Sequence, residues 1–160
     1  MPDSPLNLTA ARSLQALRNF VPISERVVTS GQPAPEQFSV IRAAGVETVI
    51  SLLPVERELT EEPAIVEALG MEYVNIPVLW HHPTRENLRD FFAAMDARSE
   101  QILLVHCAVN MRVSAFMFLY RVLRQGIPIE EAELELHDIW VPEGIWAEFI
   151  EDALQNPQNL

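Results

Sequence analysis

The sequence predicts a single-domain α/β protein with a mostly parallel central sheet of four to five strands flanked by helices. Three observations predict it. Apolar, β-branched runs of strand length recur along the chain, segments with helical spacing alternate with them, and glycine or a capping residue marks the ends of those segments. A chain of 160 residues with 49% hydrophobic content suits one packed core.

Residues 6–19, "LNLTAARSLQALRN", place Leu6, Ala10, Leu14 and Leu17 at helical spacing, so residues 1–20 read as a helical extension ahead of the sheet. "RVVTSGQP" is a short strand running into a Gly-Pro turn. "PEQFSVIRAAG" follows as a helix opened by Pro35 and stopped by Gly45. "VETVISLLP" is a strand ended by Pro54, and "TEEPAIVEALG" a helix closing on Gly70. "MEYVNIPV" is the next strand, "PTRENLRDFFAAMDA" a helix with Thr84 as N-cap, and "QILLVHC" a further strand. "MRVSAFMFLYRVLRQG" is apolar nearly all round, as expected of a helix buried on several sides. Helices over about 128–139 and 142–154 complete the domain of residues 1–160, with 155–160 read as a frayed tail.

Eleven Lys and Arg against 23 Asp and Glu give a formal charge of −12, which repels nucleic acid and acidic membrane surfaces. An anionic ligand must then be held by local groups. One cysteine forms no disulfide within the chain, and the opening residues lack a basic start followed by an apolar stretch. The expectation is a cytoplasmic protein, monomeric or homodimeric, without a membrane span, with no metal and no cofactor.

That cysteine lies in "LLVHCAVNMRVSAF", at the carboxyl end of a strand and just before a helix. Ligands of parallel α/β sheets bind at such ends, and a helix N-terminus with its outward N–H groups attracts anions and favours a thiolate. Arg112 would add a planar fork of donors suited to two phosphate oxygens. A lone cysteine is most often a small buried hydrophobe, but this context marks Cys107 as the centre of an anion site.

In register, these residues resemble the loop H-C-x-x-G-x-x-R-[ST] of the cysteine-dependent protein tyrosine phosphatases, especially their compact, dual-specificity-like bacterial branch. His106 and Cys107 match, Asn110 stands at the glycine position, and Ser114 at the final hydroxyl position. "TSGQPAPEQFSVIRAAGVETVISLL" and "GMEYVNIPV" extend a weaker likeness over roughly residues 25–150. The resemblance implies hydrolysis of a phosphomonoester, such as an aryl phosphate or phosphotyrosine in a protein. Cys107 would be the nucleophile, with Ala108, Val109, Asn110, Met111 and Arg112 around the phosphate. Ser114 would assist departure of the sulfur, and His106 would orient the loop.

The arginine is displaced. The family places five residues between cysteine and arginine; here the four residues "AVNM" intervene and Val113 occupies the arginine position. The expectation is that Arg112 lies in the loop before regular helix begins, so that its long stem brings the guanidinium back to the cysteine. A loop of this length also resembles the rhodanese sulfurtransferases, which makes sulfur transfer the alternative activity. A module that binds phosphorylated ligands without turnover is a third reading. The family's acid, an aspartate after the third strand, has no counterpart in "IPVLWHHPT". His81 and His82 there, and Asp138 or Glu143 in "HDIWVPEGIW", are the alternative proton donors. Trp80 and Trp140 are candidates for the wall of an aromatic site, and Trp146 for core packing.

Overall fold

The structure is a computed structural model that describes residue 6, residues 12–54 and residues 61–160. Its strands are β1 (Val21–Pro22), β2 (Val27–Ser30), β3 (Thr48–Ser51), β4 (Glu72–Asn75) and β5 (Leu103–His106). Its helices are α1 (Gln37–Ala43), α2 (Glu62–Ala68), α3 (Arg85–Asp96), α4 (Met111–Leu123), α5 (Ile129–Ile139) and α6 (Ile145–Gln155). The sheet order is β1-β2-β5-β3-β4, parallel throughout except that β1 pairs antiparallel with β2.

The strand period of two divides the core. Ile50, Leu103 and Val105 face one side, where Leu88, Phe91, Phe116 and Trp146 cover them; Val28, Val49 and Leu104 face the other, against Phe38, Ile41 and Val66. Both faces of β5 are therefore apolar, and all four of its residues are buried. α4 follows it directly and is buried from Arg112 through Arg121, which accounts for its lack of a polar face. Thr84 caps α3 by accepting from the Asn87 N–H, and the Asn87 side chain accepts in return from the Thr84 N–H.

Two expectations are corrected at the ends of the chain. Within the described part of the N-terminal segment, Arg12–Ala16 is a 3-10 helix with Leu14 and Leu17 buried, and the remainder of the expected helix lies outside the described residues. The frayed tail is instead held by arginines: Arg85 donates to the carbonyls of Asn156 and Gln158, Arg89 to that of Asn159 and Arg124 to that of Leu160. Their long side chains bond carbonyls of the segment that follows α6, where no helical hydrogen bond engages them. Among the described residues no helix is long and apolar enough to cross a membrane.

Candidate active site

Cys107 follows β5 directly and is only 1% exposed, at the floor of a pocket of about 480 Å³. Pro54, Leu79, Trp80, His81, Val109, Met111 and Arg112 complete the lining. β5 lies between β2 and β3, so the ends of three parallel strands converge behind the thiol. The crevice outside the carboxyl ends of such strands is where this architecture binds ligands.

The loop after Cys107 turns on Asn110, which adopts φ 70 and ψ 7, the left-handed region that asparagine tolerates best after glycine. Its side-chain amide donates to the Asn19 carbonyl and the Thr29 hydroxyl, while the Asn19 amide donates to the Val109 carbonyl. The Gln32 N–H donates to the Ala108 carbonyl at 3.0 Å. Gly31 passes so close that a Cβ there would stand 2.5 Å from the Ala108 oxygen. With its carbonyls held from outside, the loop keeps its donors free. Among the described residues none accepts from the backbone N–H groups of Ala108 to Val113, and the first amide bond of α4 is Ser114 N–H to the Asn110 carbonyl. A row of free amides at a helix N-terminus is an anion cradle.

Arg112 corrects one expectation. It is not in the loop but is the second residue of α4, because the turn at Asn110 lets the helix start at Met111. The side chain still joins the pocket, since helical side chains lean toward the N-terminus and carry the guanidinium back over the preceding turn. Nη1 donates to the Val78 carbonyl at 2.9 Å, and the guanidinium lies 6.0 Å from the centre of the Trp80 ring. Nε and Nη2, the side-on pair of the fork, make no hydrogen bond among the described residues.

His106 is fully buried, with Nε2 2.6 Å from the Glu62 carboxylate and Nδ1 making a long 3.4 Å contact with the Cys107 carbonyl. Glu62 also accepts from the Gln32 amide at 2.6 Å. Sequence reasoning passed over Glu62, Gln32, Gly31 and Asn19. A glycine closing a strand was a visible signal for Gly31, but nothing distinguishes Glu62 among 23 acidic residues.

The remaining expected site residues divide. His81 lines the pocket, whereas the neighbouring His82 is not part of that lining and pairs across the turn with Leu79. Asp138 and Glu143 are exposed and outside the lining, because α5 carries Asp138 on its solvent side and Glu143 faces solvent in the connection that follows. No carboxylate lines the pocket among the described residues. Ser114 does not face the thiol: its hydroxyl donates to the Met111 carbonyl and accepts from Trp140 Nε1, the backbone bonding that a helical serine favours. Trp140, occupied there and with the Met111 carbonyl, braces α4 and is not in the lining. Trp80 does line the pocket, and Trp146, 1% exposed, donates to the Trp80 carbonyl and fixes that wall from behind. Among the described residues no three His, Cys, Asp or Glu side chains gather as metal ligands.

No family model matches the sequence. The chain is 29% identical over 119 residues to a "Beta-lactamase hydrolase-like protein" of Xylella fastidiosa, and 30% identical over 118 residues to a protein of the same description from Agrobacterium fabrum. Each match takes in 71% of the chain, which spans only 27% of the length of these curated relatives. Among solved structures, the catalytic core of the PP-IP phosphatase Siw14 of Saccharomyces cerevisiae is 18% identical, covers 90% of this chain and 96% of its own, and has a TM-score of 0.72; the likeness is one of fold. The crystal structure of a "Putative phosphatase (DUF442)" from Shewanella putrefaciens has a TM-score of 0.79 at 32% identity, covering 90% of this chain and 97% of its own. With that identity over 90% of this chain, the chain belongs to the DUF442 family, and its fold is also that of Tk-PTP, to which it is 20% identical with a TM-score of 0.74.

Proposed function

We propose that the protein hydrolyses a phosphomonoester, with an aryl phosphate or phosphotyrosine as the substrate class, through a cysteinyl-phosphate intermediate. One observation carries the proposal: Cys107 and Arg112 line one pocket together with Val109 and Met111, in a loop whose backbone N–H groups have no acceptor among the described residues. In the first step the Cys107 sulfur attacks phosphorus, an S–P bond forms, and the ester P–O bond breaks with its electron pair leaving on oxygen. The amides and the side-on face of Arg112 hold the equatorial oxygens. In the second step water attacks phosphorus, the S–P bond breaks, and phosphate and the thiolate are released. His81, which lines the pocket, would protonate the leaving oxygen. Phenolic leaving groups need that proton least, and the apolar wall of Leu79, Trp80 and Met111 suits an aromatic ring.

The four-residue spacing and the lack of a described carboxylate in the lining favour a second reading, sulfur transfer, in which sulfite leaves thiosulfate without protonation. Assays of p-nitrophenyl phosphate hydrolysis and of thiosulfate-to-cyanide transfer, each with wild type and Cys107→Ser, separate them. The proposal expects phosphate release that Cys107→Ser abolishes. Phosphate release that survives the substitution refutes the nucleophile, and sulfur transfer alone establishes the second reading. Oxyanion binding with neither reaction would make the protein a phosphate-binding module.

A further inference from the structure

Glu62, the first residue of α2, is 1% exposed and its carboxylate is wholly buried. Burying a carboxylate costs several kcal/mol unless it is paired, and partners that far from water are arranged only where the surrounding structure holds them. Both partners here come from the strand ends that flank the thiol. His106 Nε2 reaches one oxygen at 2.6 Å, and His106 is the residue bonded to Cys107 in the chain. Gln32 Nε2 reaches the other at 2.6 Å, and the backbone N–H of Gln32 holds the Ala108 carbonyl at 3.0 Å. The two oxygens of one side chain thus connect to the residues immediately before and after Cys107.

We propose that Glu62 is a positioning residue for Cys107. Through His106 and Gln32 it clamps the peptides on both sides of the thiol and so keeps the loop amides aimed at the sulfur. It touches neither the thiol nor the pocket, and acts through the geometry of its two partners. The proposal rests on Cys107 being the reactive group of the proposed function, and does not depend on which substrate that group attacks.

Two substitutions separate the clamp from simple packing. Glu62→Gln is isosteric and keeps both contacts: its oxygen accepts from Gln32, and its amide donates to His106 Nε2 once the imidazole carries its proton on Nδ1. Glu62→Ala leaves the buried His106 Nε2 without its partner and takes from Gln32 Nε2 one of its two acceptors, the other being the Pro33 carbonyl. The readout is the rate at which iodoacetamide alkylates Cys107 in folded protein, with the melting temperature followed by circular dichroism to confirm folding. Alkylation requires a poised thiolate but no phosphatase activity, so it reports on the clamp even where aryl phosphate is not hydrolysed. A misaimed loop stabilises the thiolate less, so Glu62→Ala is expected to slow alkylation by about fivefold or more and Glu62→Gln to restore it to within about twofold. Gln32→Leu, at a half-buried position, removes one arm and is expected to slow it by about threefold; it carries the test where Glu62→Ala does not fold. A folded Glu62→Ala protein, or in its place Gln32→Leu, that alkylates as fast as wild type overturns the proposal. So does a Glu62→Gln protein as slow as the alanine variant, or a wild-type thiol inert to the reagent.

Discussion

Removing the Arg112 guanidinium tests the site most directly, because that group serves both stability and the proposed chemistry through different atoms. Nη1 holds the Val78 carbonyl at 2.9 Å, while Nε and Nη2 have no partner among the described residues and are the pair that would meet an oxyanion. In Arg112→Ala, loss of the Nη1 bond leaves a carbonyl short of a donor beneath a side chain that is 6% exposed, a cost of about 1–3 kcal/mol. For a domain of this size that lowers Tm by roughly 2–10 °C. Loss of the oxyanion donors costs about 100- to 1000-fold in turnover, on the order of 2.7–4 kcal/mol. Arg112→Lys retains the charge, but one ammonium cannot hold the Val78 carbonyl and also present a planar pair, so a loss of about tenfold is expected. The assay is kcat/KM on p-nitrophenyl phosphate at a temperature where circular dichroism shows each variant folded. A folded Arg112→Ala protein within about threefold of wild type would refute the reasoning, since it would mean that the fork does not meet the transferred group.

Gly31→Ala sets a Cβ against the Ala108 oxygen, where the separation would be 2.5 Å, so the loop must move; turnover should fall by about tenfold or more with a stability loss of about 1–3 kcal/mol, read by kinetics and thermal melts. Trp80→Ala should raise KM for an aryl phosphate by about three- to tenfold while changing kcat little, because the lost wall binds the ring equally before and during reaction. Burial, reinforced by the hydrogen bond to Asp96, pushes the Tyr120 phenol up to about 12. A raised phenol favours the folded state fully below its ordinary value of about 10, and that contribution is lost as pH rises toward the folded value. Wild type should therefore lose more stability than Tyr120→Phe between about pH 10 and pH 12, and equal losses in thermal melts over that window would contradict the assignment.

Most of the fold is legible along the chain because it follows from local periodicity. The four parallel strands, the capped helix at Thr84 and the all-round burial of α4 come from the alternation of apolar residues and from turn chemistry. β1 is not legible along the chain, since two residues ending on a proline carry no strand pattern, and its pairing with β2 is a tertiary event. The 3-10 geometry of Arg12–Ala16 is not legible in the sequence, because the spacing of Leu14 and Leu17 suits either kind of helix.

What the sequence determined alone is the chemistry concentrated in residues 106–112: a thiol at a strand end, an asparagine fit for a left-handed turn, and an arginine two residues later. These depend on neighbours in the chain, so a linear reading reaches them. Tertiary structure decided where their partners stand. Only folding sets Glu62 between His106 and Gln32, brings the Val78 carbonyl to Arg112, turns Ser114 and Trp140 toward each other, and leaves His81 in the lining while Asp138 faces solvent. Those contacts join residues tens of positions apart, and their energy comes from excluding water around paired polar groups, which no spacing along the chain records. The displaced arginine shows both sources at once: the sequence moved it by one residue, and the early start of α4 with the backward lean of helical side chains returned its guanidinium to the pocket of Cys107.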